Sequence, residues 1–124
     1  MYKPLNTMKS SGQIVLLAER QTRVMNVFEN EIVSPSGNIK TDYIDVDGFN
    51  KIYINAMQDV DTISYIQLTW SYDKVNEAYY DYLIEDNKVL KNVSCEVKAP
   101  YVKIEVGHYG EVEMSVLCQA YLKV

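Results

Sequence analysis

The densest group of residues that could bind a ligand is acidic, because Asp42, Asp45 and Asp47 lie close together in the sequence. Carboxylate oxygens are ligands that calcium prefers. Their spacing does not fit an EF-hand loop, which needs acidic or amide residues at every second position and a later glutamate. Asp45 and Asp47 also alternate with Ile44 and Val46, so they point to solvent if this stretch is a strand. We predict exposed carboxylates and no metal site, with a calcium site as the alternative.

The chain has a single histidine, His108, which lies in the stretch Gly107-His108-Tyr109-Gly110. A serine or cysteine nucleophile would need such a base, yet neither a G-x-S-x-G motif nor a known cysteine-nucleophile signature is present. The five glycines are scattered and form no phosphate-binding loop. A glycosidase carboxylate pair is defined by its separation in space, and no pair stands out in the sequence. We predict an exposed histidine in a turn, no catalytic residue, no cofactor and no enzymatic activity.

The two cysteines, Cys95 and Cys118, form no C-x-x-C pair and have no histidines at zinc-ligand spacing. The alternation of apolar residues around them places both on inward faces of strands, where free cysteine is common. We predict buried free thiols, as expected for a protein made in the cytoplasm, and a disulfide is the alternative.

Tyrosine dominates the aromatic residues, with 11 tyrosines against two phenylalanines and one tryptophan. Tyr79, Tyr80 and Tyr82 crowd within four positions. Alternation places Tyr80 and Tyr82 on one face of a strand and Tyr79 on the other, so one set is expected in the core. The other set, with Tyr109 in a neighbouring loop, is the candidate ligand-binding or interface surface. It could pack against a subunit or stack on sugar rings, and an ordinary strand surface is the third interpretation.

The charge distribution excludes some classes of protein. The formal net charge is -5 and no cluster of lysine and arginine is present, which argues against nucleic-acid binding. The apolar run at 14–18 is too short for a signal peptide or a membrane span. We therefore predict synthesis in the cytoplasm without a signal peptide and no insertion into a membrane.

Residues 1–12 show no hydrophobic period and are predicted to form an extended N-terminal arm. Fraying is the simplest expectation for such a terminus. Leu5 and Met8 could instead pin the arm onto a neighbouring subunit, so both are candidate interface residues.

The rest of the chain alternates between apolar and polar residues at the period of a half-buried strand. The Asp47-Gly48 step is the only Asp-Gly in the chain and predicts a tight turn or hairpin, which we place at the corner of a sandwich. The fold class predicted is all-β, a two-sheet antiparallel sandwich of jelly-roll type with about 8–9 strands, in a single domain at 13–124. The predicted strands are 13–19, 22–31, 39–46, 51–57, 62–72, 78–85, 89–98, 101–106 and 111–124.

Three stretches together carry a resemblance to a known group of domains: YIDVDGFNKIYI, TWSYD and APYVKIEVGHYGEVEMSV. They resemble compact β-sandwich domains of phage and prophage structural proteins, which are related in plan to galactose-binding-like jelly rolls. The resemblance extends from Asp42 to the C-terminus and carries over no ligand residue.

The resemblance implies a non-enzymatic structural protein of a phage or prophage virion, such as a head-decoration, neck or tail subunit. Its expected partners are further copies of itself and other virion proteins in a symmetric oligomer, and its expected location is the virion. The alternative is a carbohydrate-binding module that uses exposed tyrosines to hold a cell-surface glycan.

Overall fold

The computed structural model describes residues 22–124, which form two antiparallel sheets. No helix occurs in this part of the chain, and so none that is long and apolar enough to cross a membrane. The predicted strand at 13–19, the arm at 1–12, Leu5 and Met8 lie outside the described residues. The strands are β1 (Thr22–Val33), β2 (Asn38–Lys40), β3 (Ile44–Asp45), β4 (Lys51–Gln58), β5 (Ser64–Ser71), β6 (Glu77–Asp86), β7 (Leu90–Glu96), β8 (Tyr101–His108) and β9 (Met114–Lys123).

The four-stranded sheet has the order β1-β9-β4-β7, and the five-stranded sheet has the order β2-β8-β5-β6 with β3 also beside β8. If β2 and β3 are counted as one interrupted strand, the first strand pairs with the last, the second with the next to last, and so on inward. The prediction of an all-β, two-sheet antiparallel sandwich with about 8–9 strands is confirmed, and β9 is a central strand as expected.

The core lies between the two sheets and follows the predicted alternation. On β4, Ile52 and Ile54 are fully buried, while Lys51, Tyr53 and Asn55 alternate with them and are exposed. Trp70 on β5 is also fully buried, and its indole Nε1 donates to Asp81 Oδ2 at 2.8 Å. The polar atom of the largest core side chain is therefore paired, as a buried polar group must be.

Gly48 lies at a corner between the sheets, because β3 before it belongs to the five-stranded sheet and β4 after it to the four-stranded sheet. Its φ is +90°, a conformation that suits glycine. The predicted corner is confirmed, and of the two alternatives at Asp47-Gly48 the tight turn is correct, because the N–H of Phe49 donates to the Val46 carbonyl at 3.2 Å, whereas the hairpin is wrong. The predicted strand at 39–46 is interrupted at Thr41, whose Oγ1 accepts the N–H of Ile104 at 3.0 Å in place of a regular ladder bond.

The predicted turn at His108 is wrong, because β8 continues through this residue. Ser64 of β5 pairs with His108, and Gly107 pairs with both Tyr65 and Asn38. His108 is only 1% exposed, and its Nε2 lies 2.8 Å from the Ser34 carbonyl oxygen. The chain turns only after His108, whereas the glycines at positions 107 and 110 had suggested that the turn begins at Gly107.

Candidate interaction surface on the five-stranded sheet

Four tyrosines line up on the outer face of the five-stranded sheet. Tyr65 faces outward on β5 because the next residue, Ile66, is in the core. On the edge strand β6, Tyr82 and Tyr80 pair with the outward residues that follow Tyr65 at two-residue steps. Tyr109 comes directly after β8. We call Tyr80, Tyr82, Tyr65 and Tyr109 the tyrosine row.

The rings of the tyrosine row form a continuous series. The centroids of Tyr80 and Tyr82 are 6.4 Å apart, those of Tyr82 and Tyr65 are 5.4 Å apart, and those of Tyr65 and Tyr109 are 5.7 Å apart. The first two pairs are edge-to-face, a favourable geometry for aromatic rings. Tyr65 is only 8% exposed, whereas Tyr80, Tyr82 and Tyr109 are 58%, 55% and 53% exposed. Tyr65 is thus the buried base of the tyrosine row, and the exposed rings of Tyr82 and Tyr109 pack against it.

Two carboxylates fix the phenol groups of this surface. Tyr65 Oη donates to Glu105 Oε2 at 2.6 Å, and Tyr109 Oη donates to Glu85 Oε2 at 2.8 Å. Burial and the bond to Glu105 raise the pKa of Tyr65, and the bond to Glu85 raises the pKa of Tyr109 to about 12. Both phenols therefore stay protonated at neutral pH and hold the rings in place as donors.

Tyr79 does not belong to the tyrosine row. It pairs with Trp70, on the opposite side of the sheet, and its hydroxyl lies 2.7 Å from that of Tyr72. The expectation that one tyrosine set forms core is wrong, since Tyr79, Tyr80 and Tyr82 are all exposed.

The register of β6 is irregular on both sides of these tyrosines. The partner of Ile66 is Ile84 but that of Gln67 is Tyr82, so an extra residue breaks the alternation, and a second shift follows Trp70. As an edge strand, β6 also has a neighbour on one side only. Tyr65 was missed from the sequence, because a single tyrosine in an alternating strand gives no signal of its own.

The aspartates and cysteines considered in the sequence analysis do not form a metal site within residues 22–124. Asp45 and Asp47 are exposed, and Asp45 Oδ1 accepts the N–H of Asp47 at 3.0 Å. Within residues 22–124 there is no group of three or more histidine, cysteine or acidic side chains that could hold a metal ion. Cys95 is half-buried, Cys118 is buried, and both are free thiols.

Comparison with known proteins gives matches in structure and none in sequence. No protein-family model matches the chain, and no curated protein matches it. The VP2 subviral particle of infectious bursal disease virus matches with a TM-score of 0.66 and 8% identity, over 84% of this chain and 32% of VP2.

Two smaller proteins have the same fold. The PBSX exported protein XepA matches with a TM-score of 0.63 and 10% identity, over 82% of this chain and 37% of XepA. The SPBc2 prophage-derived protein YomS matches with a TM-score of 0.58 and 8% identity, over 83% of this chain and 93% of YomS. The chain thus spans about a third of VP2 and XepA but nearly all of YomS. At these identities the matches establish a shared β-sandwich fold.

Proposed function

We propose that this chain is a non-enzymatic structural protein of a phage or prophage virion, and that it assembles through the tyrosine row. Its fold is shared with the protein of a viral particle and with a prophage-derived protein. A shared fold leaves the function open, so the proposal depends on the exposed surface of this chain.

The observation that carries the proposal is the set of exposed tyrosines resting on buried Tyr65. Aromatic side chains are enriched at protein interfaces, where a few of them supply most of the binding energy. The hydrogen bonds of Tyr65 and Tyr109 to carboxylates already fix two of the rings. A surface ordered before binding loses less side-chain entropy on association than a flexible one.

The proposed partners are further copies of this chain in a symmetric oligomer, together with other virion proteins, and the proposed location is the virion. The tyrosine row reaches the free edge of the sheet through Tyr80 and Tyr82 on β6. A contact that starts on these rings would also cover the unpaired backbone of that edge. The proposed role is that of a head-decoration, neck or tail subunit.

Light scattering after size exclusion, at increasing concentrations of the full chain, tests the proposal. We expect a discrete oligomer, and the double substitution Tyr80→Ala with Tyr82→Ala should shift it toward the monomer. Tyr72→Ala is the matched control, because Tyr72 is equally exposed but contacts Tyr79 outside the tyrosine row. A monomeric wild type at every concentration, or an oligomer that the double variant leaves intact, contradicts the proposal.

The carbohydrate-binding alternative receives little support from the tyrosine row, where the hydroxyls of Tyr65 and Tyr109 are already bonded to carboxylates. Tyr79, the other tyrosine considered for a glycan, lies apart and bonds to Tyr72.

A further inference from the structure

Four carboxamide side chains form a row across the outer face of the four-stranded sheet. The register places Asn26 of β1 opposite Gln119 of β9, Gln119 opposite Asn55 of β4, and Asn55 opposite Asn92 of β7. All four are exposed, and Gln119 Nε2 donates to Asn26 Oδ1 at 3.0 Å. We call Asn26, Gln119, Asn55 and Asn92 the amide row.

Aromatic side chains flank the amide row on one side. Two residues along the strands, Tyr121 of β9 lies opposite Tyr53 of β4, with ring centroids 5.9 Å apart. Each ring is 37% exposed. An open depression of about 440 Å³ lies over these rings and the amides of Asn55, Asn92 and Gln119, and none of its lining residues is charged.

Apolar side chains flank the amide row on the other side. Leu117, Met57 and Leu90 lie next to one another on β9, β4 and β7, and all three are exposed. The face therefore presents a band of hydrogen-bonding groups between two bands of hydrophobic surface.

We propose that this face binds a neutral oligosaccharide along the amide row. Each carboxamide offers both a donor and an acceptor, which matches hydroxyl groups that also donate and accept. The rings of Tyr53 and Tyr121 supply flat apolar surface for the C–H face of a sugar ring. The lining itself holds no charged side chain, so its amides and rings favour a neutral ligand, and the ammonium group of Lys51, outside this lining, lies 5.5 Å from the centroid of the Tyr53 ring.

The size of the face agrees with a short ligand. With strands roughly 4.8 Å apart, the amide row extends over about 14 Å, and the three bands together cover about 400 Å². A stable protein contact needs about 800 Å² on each partner. The four-stranded sheet is thus proposed as the ligand face, on the other side of the sandwich from the tyrosine row.

Nuclear magnetic resonance of the full chain, titrated with cellohexaose, chitohexaose and maltohexaose, tests this proposal. We expect at least one of these neutral sugars to shift the side-chain amide signals of Asn55, Asn92 and Gln119, with saturation below roughly 10 mM, a range that detects millimolar affinity. Tyr53→Ala and Asn55→Ala should each weaken binding about tenfold, as expected when one good contact is lost. Gln67→Ala, on the outer face of the other sheet, is the matched control and should leave affinity unchanged.

The proposal is overturned by no shift with any of the three sugars, by shifts confined to the tyrosine row, or by unchanged binding in folded Asn55→Ala. Amide-row signals that depend on protein concentration without sugar also overturn it, because they assign the face to self-association. The oligomer test uses Tyr80 and Tyr82 on the opposite sheet, so the two proposals can fail separately.

Discussion

The ring of Tyr65 lies across the backbone of Gly107 on the neighbouring strand. The two residues are paired between β5 and β8, and a Cβ atom built on Gly107 would come 2.5 Å from the Tyr65 hydroxyl. Glycine in a strand is often found where another group approaches the backbone closely. The absence of a side chain lets Tyr65 lie flat and reach Glu105. This one glycine therefore shapes the base of the tyrosine row.

Gly107→Ala is expected to destabilise the protein by about 1–3 kcal/mol, the usual cost of overpacking. The new methyl group would push Tyr65 away from Glu105 and disturb the rings above it. Urea unfolding gives the free energy of unfolding, and the oligomer mass reports on the tyrosine row.

A double-mutant cycle with Tyr65→Ala separates this effect from any general intolerance of position 107. With the Tyr65 side chain removed, Gly107→Ala should cost much less, because the three atoms nearest to the new Cβ all belong to Tyr65. An equal cost in both backgrounds would show that the ring is not the cause.

His108 is expected to stabilise the end of β8 through two hydrogen bonds. The N–H of Gly110 donates to Nδ1 at 3.1 Å, so the proton is on Nε2 and is donated to the Ser34 carbonyl. His108→Leu would leave the N–H of Gly110 unpaired and remove one of the two hydrogen bonds to the Ser34 carbonyl, which also accepts the N–H of Gly37 at 2.9 Å. We expect a loss of about 1–3 kcal/mol in the free energy of unfolding. His108→Gln, which retains a donor and an acceptor, should lose less. Equal stability of the leucine variant and the wild type would contradict this role.

Alternation in the sequence was sufficient to predict the central strands. On β4 and β9, apolar residues such as Ile52 and Leu122 recur at every second position and are buried, so each strand has one recognisable core face. The same pattern does not say which strands are neighbours. The hairpin, one of the two alternatives at Gly48, is wrong for this reason, because the strands on either side of the turn pair in different sheets.

The candidate surface was predictable only in part. Tyr80, Tyr82 and Tyr109 were selected from composition and spacing, and the structure brings them together. The irregular register of β6 and the position of Tyr65 over Gly107 depend on pairing between distant strands. The amide row was missed for the same reason, since its members come from four separate strands and each is an ordinary surface residue on its own.

Asp81 is expected to make stability depend on pH in the acid range. Burial raises the pKa of its carboxyl, but hydrogen bonds from Lys98 Nζ at 2.7 Å and Trp70 Nε1 at 2.8 Å outweigh this, so the pKa lies below its ordinary value. A carboxyl with a lowered pKa stabilises the folded state above its unfolded pKa of about 3.9, and this stabilisation is lost as the pH falls through the folded pKa.

Asp81→Asn should therefore reduce stability by a constant amount above about pH 5, and the difference from the wild type should shrink below about pH 4. Urea unfolding followed by the fluorescence of Trp70, the single tryptophan, measures it. Asp73 and Asp86 also have a lowered pKa, because the backbone N–H groups of Asn76 and Lys88 donate to them, so only the difference between variants isolates Asp81. If the stability difference between Asp81→Asn and the wild type stays constant down to pH 2, Asp81 is not the source of the pH dependence. Asp61→Asn, at an exposed position, is the control.

The two cysteines are expected to be unreactive in the folded protein. Burial raises the pKa of Cys95 to about 11 and that of Cys118 to about 12. The thiolate is the reactive form, so an aromatic disulfide reagent at pH 8 should find almost no thiolate. We expect both thiols to react after unfolding in guanidinium, and Cys95 to react first as the native protein opens, because it is only half-buried. No thiol after unfolding without reductant would favour the disulfide instead.

Gly48 provides a test of backbone strain without side-chain crowding. A Cβ atom on Gly48 would meet nothing within 4 Å, so any cost of substitution must come from its φ of +90°. Gly48→Val is expected to lower the free energy of unfolding by about 1–3 kcal/mol, because a β-branched residue strongly resists positive φ. Gly48→Asn should cost less, since asparagine tolerates this region better, and Asp47→Ala at the exposed neighbouring position should stay near the wild type. If the valine and asparagine variants melt at the same temperature as the wild type, the corner between the sheets does not need a glycine.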